Sequence, residues 1–478
     1  MMTINRGRSA PSNSGSMARG RRLPVGLLAF LLALGALGSA FSQDEGGASA
    51  EDEDLFGEEE VVAQSKDDDA SIREAFLKSD AATITGTFTG TMGASAIWND
   101  PWGDSDGLFS PDDSTFDPVS ELAIGFSAKP ATDLGFYGEV RTAYPFVDAE
   151  GDADIKVFKL YSKFSWKDKL FFSFGKQPLK WGQGYFFAPA NDILSLGAID
   201  YYDPEADREG PLSLKAHLPF LGSMMNAYLF LVAPAGADHV FDVAVAPKIE
   251  LSLPSLELAL SGYYQRDDKP RAILSGSWTK SGVTAFGEGV LKFGSDRLFI
   301  EEDGGSYSIA DGEDRVFFTG TAGVMYMETW EKKLSLTAVG QYLYDGEAQE
   351  NLTLEELYNA YLSDPIGTMA ALPSLGTRLA RHYAAFSVSA SEIMDTDLGA
   401  SVFAIANLAD FSGWIRPEVS YKVFDRLTAS LWAQFNFGGP AGEYTDPAGV
   451  MEAMGLSEPA LKPPAAVGFK LSLGTGSF

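Results

Sequence analysis

From Ala82 onward, apolar and polar residues alternate in short segments, and the links between those segments are by turns short and long. A period of two places successive side chains on opposite faces of a strand, whereas a helical face needs a period near 3.6. Thr83, Thr85, Thr87, Thr89 and Thr91 alternate with Ile84, Gly86, Phe88, Gly90 and Met92; Leu212, Leu214, Ala216 and Leu218 alternate with Ser213, Lys215 and His217. Eighteen segments carry this signal, at 82–97, 119–129, 134–145, 154–166, 170–181, 210–219, 223–233, 239–251, 255–266, 270–279, 283–293, 314–329, 333–345, 380–391, 397–408, 413–424, 427–438 and 464–477. The count drops to sixteen if two weak segments are loops.

After even-numbered segments the link is short, as at Lys167–Lys169, Ser252–Pro254 and Asp425–Arg426; after odd-numbered ones it is often long, as at 98–118, 182–209, 294–313, 346–379 and 439–463. A soluble sandwich or propeller has no reason to keep that parity. A transmembrane antiparallel up-and-down β-barrel does, with short turns at one membrane face and long loops at the other. The expected fold class is therefore all-β. Tyr144, Trp166, Trp181, Tyr201, Tyr202, Trp330, Trp414, Trp432 and Phe437 fall near segment ends, where interfacial girdles belong.

Upstream of the barrel, Arg19, Arg21 and Arg22 precede the apolar stretch Leu23–Leu37, and small residues follow. Residues 1–42 read as a cleaved signal peptide, with translation starting at Met1 or Met17. Residues 43–80 hold the acid runs Glu51–Asp54, Glu58–Glu60 and Asp67–Asp69, too charged to bury a core, and form a periplasmic tether with a short helix begun by the capping box Ser71–Glu74. Residues 81–478 are the barrel. Thr353–Glu356 has the same capping spacing and opens a second helix, with Leu354, Leu357, Tyr358, Tyr361 and Leu362 on its apolar side. It lies in an outer loop that either constricts a pore or packs on neighbouring loops.

The net charge of −30 argues against nucleic acid, which needs clustered Lys and Arg. With no cysteine there is no disulfide framework, thiol catalysis or lipoprotein anchor. The histidines, His217, His239 and His382, show no metal-ligand spacing, and neither G-x-S-x-G nor H-E-x-x-H occurs. No catalytic residue, metal or cofactor is expected, and the chain is not expected to be an enzyme.

The most distinctive stretch runs Gly175-Lys176-Gln177-Pro178-Leu179-Lys180-Trp181-Gly182-Gln183-Gly184-Tyr185, then Pro189-Ala190-Asn191-Asp192, and returns through Asp203-Pro204-Glu205-Ala206-Asp207-Arg208-Glu209-Gly210. It resembles a segment of bacterial porin-like outer-membrane barrels, in which a basic strand end runs into a Trp-Gly turn and returns through an acidic approach. Trp181, Gly182, Gly184 and Arg208 are read as a latch folding this loop against the barrel, with Arg208 paired to Asp203 or Asp207. Phe478 resembles the C-terminal aromatic signal of that group, which implies the barrel-assembly machinery as a partner; Phe469, Leu471 and Leu473 fall in the opposite phase. The polar residues opposite the apolar face, Glu139, Arg141, Lys159, Lys176, Lys215, His217, Glu257 and Glu288, are the candidate pore lining.

The expected function is passive diffusion of small polar solutes, weakly favouring cations, through a barrel exported to the bacterial outer membrane and surrounded by its lipid. The alternative is a sealed barrel serving as a surface adhesin or structural protein.

Overall fold

The computed structural model describes residues 82–98, 114–146, 154–196, 199–204, 206–220, 224–234, 236–303, 306–330, 334–349, 354–372, 378–439, 442–445 and 465–474. The signal peptide, the acidic tether and Phe478 lie outside them.

Twenty strands form: β1 (Ala82–Trp98), β2 (Ser114–Ala131), β3 (Leu134–Pro145), β4 (Asp154–Trp166), β5 (Leu170–Lys176), β6 (Leu212–Pro219), β7 (Met225–Ala233), β8 (Ala244–Leu253), β9 (Leu256–Tyr263), β10 (Arg271–Lys280), β11 (Val283–Phe293), β12 (Leu298–Asp303), β13 (Ser306–Asp311), β14 (Val316–Trp330), β15 (Leu334–Asp345), β16 (His382–Ser391), β17 (Leu398–Asn407), β18 (Ser412–Phe424), β19 (Leu427–Phe437) and β20 (Ala465–Gly474). Eighteen of them make one antiparallel sheet, each paired with its neighbour in sequence apart from the excursion of β12 and β13, and β20 returns to pair with β1. The sheet is a closed up-and-down barrel, and all eighteen expected strands are in it. β12 and β13 pair separately as a hairpin inside the β11–β14 connection. That hairpin was not expected, because parity alone assigns the whole connection to a loop.

The turns follow local chemistry. Ser281 and Gly282 both take positive φ, 51° and 76°, between β10 and β11, which suits a two-residue hairpin whose twist matches its strands. β5 stops at Lys176 rather than Trp181: Gly175 has φ 135°, and Pro178 brings no N–H to a ladder.

Outward-facing positions are apolar along the strands. Ile84, Leu160, Phe174, Leu260, Phe386 and Leu431 all stand exposed, as a face covered by lipid requires and a soluble surface of this extent does not. Tyr144, Trp166, Trp330 and Phe437 are exposed near strand ends, where a girdle is expected. Trp181, Tyr201, Trp414 and Trp432 are not part of one: Trp181 is buried in the interior, Tyr201 packs on the inward-facing Phe403, and Trp414 and Trp432 share the inward phase of Arg416 and Ser430.

The outer-loop helix forms as α1 (Leu354–Ser363), followed by α2 (Pro365–Ala371). Leu354 and Leu357 are buried against Ile300 of the β12–β13 hairpin, with Tyr358, Tyr361, Leu372 and Leu379 around them. The loop therefore packs on its neighbour; Leu362, expected on the same stripe, is exposed.

Candidate functional site

The connection between β5 and β6 does not stay outside the barrel. Leu179, Trp181, Ala190 and Leu194 are buried among the inward-facing Phe230, Val232, Ala244, Ala246, Tyr263, Ile273 and Val290 of β7–β11. Phe186 and Phe187 are buried among Phe286, Val339, Leu343, Tyr383, Ala385, Phe403 and Ile405, which spans the inner wall from β11 to β17. Residues 177–211 thus line one side of the interior.

Two polar side chains of the wall hold this loop by its backbone. Glu288 on β11, 5% exposed, accepts hydrogen bonds from the N–H groups of Gln183 (2.6 Å), Gly184 (2.9 Å) and Ala190 (2.9 Å). Gln341 on β15 accepts from the Phe186 N–H at 2.6 Å and donates to the Phe187 carbonyl at 2.7 Å. Within the loop, the Asn191 side-chain oxygen accepts from the N–H groups of Trp181 and Gly182 at 2.6 and 2.8 Å, which ties the Trp-Gly bend to the Pro-Ala-Asn-Asp turn. These contacts explain the glycines. A Cβ on Gly182 would lie 1.9 Å from a Glu288 carboxylate oxygen, and one on Gly184 2.0 Å from the Phe187 carbonyl oxygen.

At its return, Arg208 pairs with Asp192 at 2.8 Å and not with Asp203 or Asp207. Asp207 reaches the wall instead, at 2.9 Å from the Lys159 ammonium. Tyr202 lies beside Trp414 of β18, accepting a 3.0 Å hydrogen bond from Arg416, whose guanidinium is sandwiched between Tyr202 (4.4 Å) and Trp432 (3.9 Å). Burial raises the Tyr202 hydroxyl above the ordinary phenol value, although the Arg416 charge opposes it.

The eight candidate lining residues separate into three groups. Glu139, Arg141 and Lys159 face inward on β3 and β4 and touch one another: Glu139 meets Arg141 at 2.5 Å and Lys159 at 3.3 Å. Lys215, His217 and Glu257 also face inward. His217 stacks flat on Tyr228 with ring centres 4.4 Å apart, Lys215 lies 5.1 Å from the same ring, and Glu257 accepts from the Gln183 side chain at 3.1 Å. Two candidates do not line a water path. Glu288 is buried beneath the loop it anchors. Lys176 pairs in register with Leu160 and Leu212, both on the lipid-facing phase, and so continues the outward alternation of Phe172 and Phe174; its ammonium binds Glu209.

The wall opposite the loop is different. On β1–β4 and β20 the inward-phase residues Thr83, Thr85, Thr87, Glu121, Arg141, Lys156 and Lys470 are all exposed to solvent. Solvent therefore reaches the side chains of this wall, which the loop touches at Lys159 of β4. No group of His, Asp or Glu side chains suited to a metal ion occurs among the described residues.

No described protein family and no curated protein matches the sequence. Among solved structures, similarity extends to a BenF-like porin from Pseudomonas fluorescens Pf-5 (7% identity, 84% of this chain and 99% of that chain, TM-score 0.47). It extends also to Acinetobacter baumannii OccAB1 (9%, 82% and 96%, TM-score 0.46) and to Salmonella typhi OmpF in complex with daunomycin (8%, 82% and 97%, TM-score 0.40). The architecture is that of an eighteen-stranded transmembrane β-barrel, and the chain's own strand pairing and outward apolar faces carry that statement.

Proposed function

We propose that this protein is a passive channel of the bacterial outer membrane for small polar solutes. The observation that carries the reading is the contrast between the two inner walls: one is sealed under residues 177–211, while the other keeps threonines and charged side chains in water. Barrels of about 16 to 18 strands are wide enough to leave such a path. The loop narrows it without closing it, and movement through it needs no chemistry and no cofactor. In this reading lipid surrounds the outward face, and the barrel-assembly machinery inserts it.

Purified, refolded protein in a planar bilayer tests the proposal. Stepwise, salt-dependent conductance supports it; silence from protein that still runs as a folded, heat-modifiable barrel favours a sealed adhesin or scaffold and moves attention to the α1–α2 loop. The net charge of −30 suggests a weak cation preference, but a permeating ion senses the charges on the wet wall more than those on outer loops.

A further inference from the structure

The loop between β5 and β6 does not cover the inner wall evenly. Its outgoing part lies against the wall from β7 round to β17, through the two buried clusters. Its return part leaves the wall. Tyr202 touches β18 at Trp414 and Arg416, and Asp207, a few residues on, touches Lys159 of β4. Around the barrel, β18 and β4 are separated by β19, β20, β1, β2 and β3. The arc past those strands is about 29 Å, whereas the chain from Tyr202 to Asp207 reaches about 17 Å at most. A turn closed by the Ala206 N–H on the Asp203 carbonyl at 3.2 Å, with Pro204 at its second position, shortens that reach further. The segment therefore cuts across the interior as a strap. On its far side stand β20 and β1–β3, with Thr83, Thr85, Thr87, Glu121 and Lys470 inward and exposed.

The two ends of the strap are held by different chemistry. At β4 the contact is an ion pair of partly exposed groups, Lys159 and Asp207 at 2.9 Å, and Lys159 is shared with Glu139 at 3.3 Å. Salt screens such a pair, and it holds weakly. At β18 the Arg416 guanidinium lies 4.4 Å from the Tyr202 ring centre and 3.9 Å from that of Trp432, and it donates to the Tyr202 hydroxyl at 3.0 Å. A planar cation between two ring faces is attracted by both, and a lysine ammonium cannot stack in this way. The wall is shaped for this stack: a Cβ on Gly468 of β20 would stand 2.2 Å from the Trp432 indole. Glu418, 3.6 Å from the guanidinium, balances its charge, so Arg416 is committed to the strap.

We infer that Tyr202, Arg416 and Trp432 set the size limit of the passage: the stack holds the strap across the lumen, and solutes pass between the strap and the wall of β19, β20 and β1–β3. The inference rests on the channel reading. It makes Tyr202 a border of the path, with Arg416 and Trp432 as positioning residues that act through it.

Neutral polyethylene glycols of graded size, added on both sides of the full barrel in a planar bilayer, test it. A polymer small enough to enter lowers single-channel conductance, and an excluded one does not. Tyr202→Ala and Arg416→Ala are expected to admit polymers that the unaltered channel excludes. Arg416→Lys, which keeps the charge and loses the plane, shifts the limit the same way, whereas Tyr202→Phe, which keeps the ring, restores it. Arg426→Ala, at the short β18–β19 turn, is the control and leaves the limit unchanged. Heat-modifiable mobility establishes that each variant is folded; if an Arg416 variant fails to fold, Tyr202→Ala decides, since that side chain is 54% exposed and lies outside the barrel sheet. A conducting barrel whose limit is the same in Tyr202→Ala as in the unaltered protein overturns this inference and leaves the channel reading. A folded but silent barrel overturns the channel reading and this inference with it.

Discussion

Glu288 illustrates how one side chain can be misassigned from its spacing and still be important. Alternation along β11 places it on the inward face, but the three N–H groups that donate to it come from a loop about a hundred residues earlier, and no local pattern encodes such a meeting. Charge-assisted hydrogen bonds contribute about 1.5–3 kcal/mol each, and a buried carboxylate is tolerated here only because they are made. Glu288→Gln places an amide N–H against at least one of those N–H groups. The expected outcome is a loosened loop, seen as faster proteolysis within residues 177–211 with the barrel intact. Gly182→Ala should act in the same direction from the other partner, since its Cβ would meet the Glu288 carboxylate; a loop as protected as in the unaltered protein would contradict both. Gly182 and Gly184 were legible as a bend, while Gln341 and Asn191 carried no motif beyond an ordinary polar residue.

Elements were more legible than sites because strand phase repeats and contacts do not. Period two located β3, β4 and β11 to the residue, yet it could not distinguish an inward face covered by a loop from one left wet. Phase also settles Lys176, which alternates with Phe172 and Phe174 on the outward face and so does not belong to the lining. The neighbouring loop fastens the β12–β13 hairpin through Gln349, which accepts from the Ile300 N–H at 3.0 Å and donates to the Leu298 carbonyl at 3.0 Å, and fastens the end of β11 and the link into the hairpin through Glu347, which accepts from Lys292 at 2.8 Å and from Ser295 at 2.7 Å. Burial alone would raise the Glu347 carboxyl, but these hydrogen bonds and the charges of Lys292 and Arg297 outweigh it and hold the group below the usual carboxylate range. A depressed folded value means the contribution is complete above the unfolded carboxylate pKa and is lost as pH falls through the folded one. Amide exchange in 298–311, corrected for its intrinsic pH dependence, is therefore expected to lose protection in that acid window, and Glu347→Gln should abolish the pH step. Trp181→Ala, which empties a site that is 2% exposed, should cost about 3–5 kcal/mol of loop packing.

At the scale of the molecule, the channel proposal divides the work between the barrel and its inserted loop: the wall would provide the hole and the loop would set its width. Replacing residues 177–211 by a short glycine-serine link should raise single-channel conductance while preserving heat-modifiable mobility; an unchanged conductance would mean that the loop does not border the path. Such a gain also needs the ladder between β5 and β6 to survive, which strand-specific amide protection can check.

The pairing of β1 with β20 joins the most distant strands of the sheet. Contacts of such high contact order come late, because the whole intervening chain must first be confined. Until that seam forms, a partly assembled sheet carries two raw edges whose unpaired N–H and C=O groups can recruit a strand from another copy. Assembly is therefore a race between self-closure and edge-to-edge aggregation, and a chain shortened before Ala465 has no means of winning it.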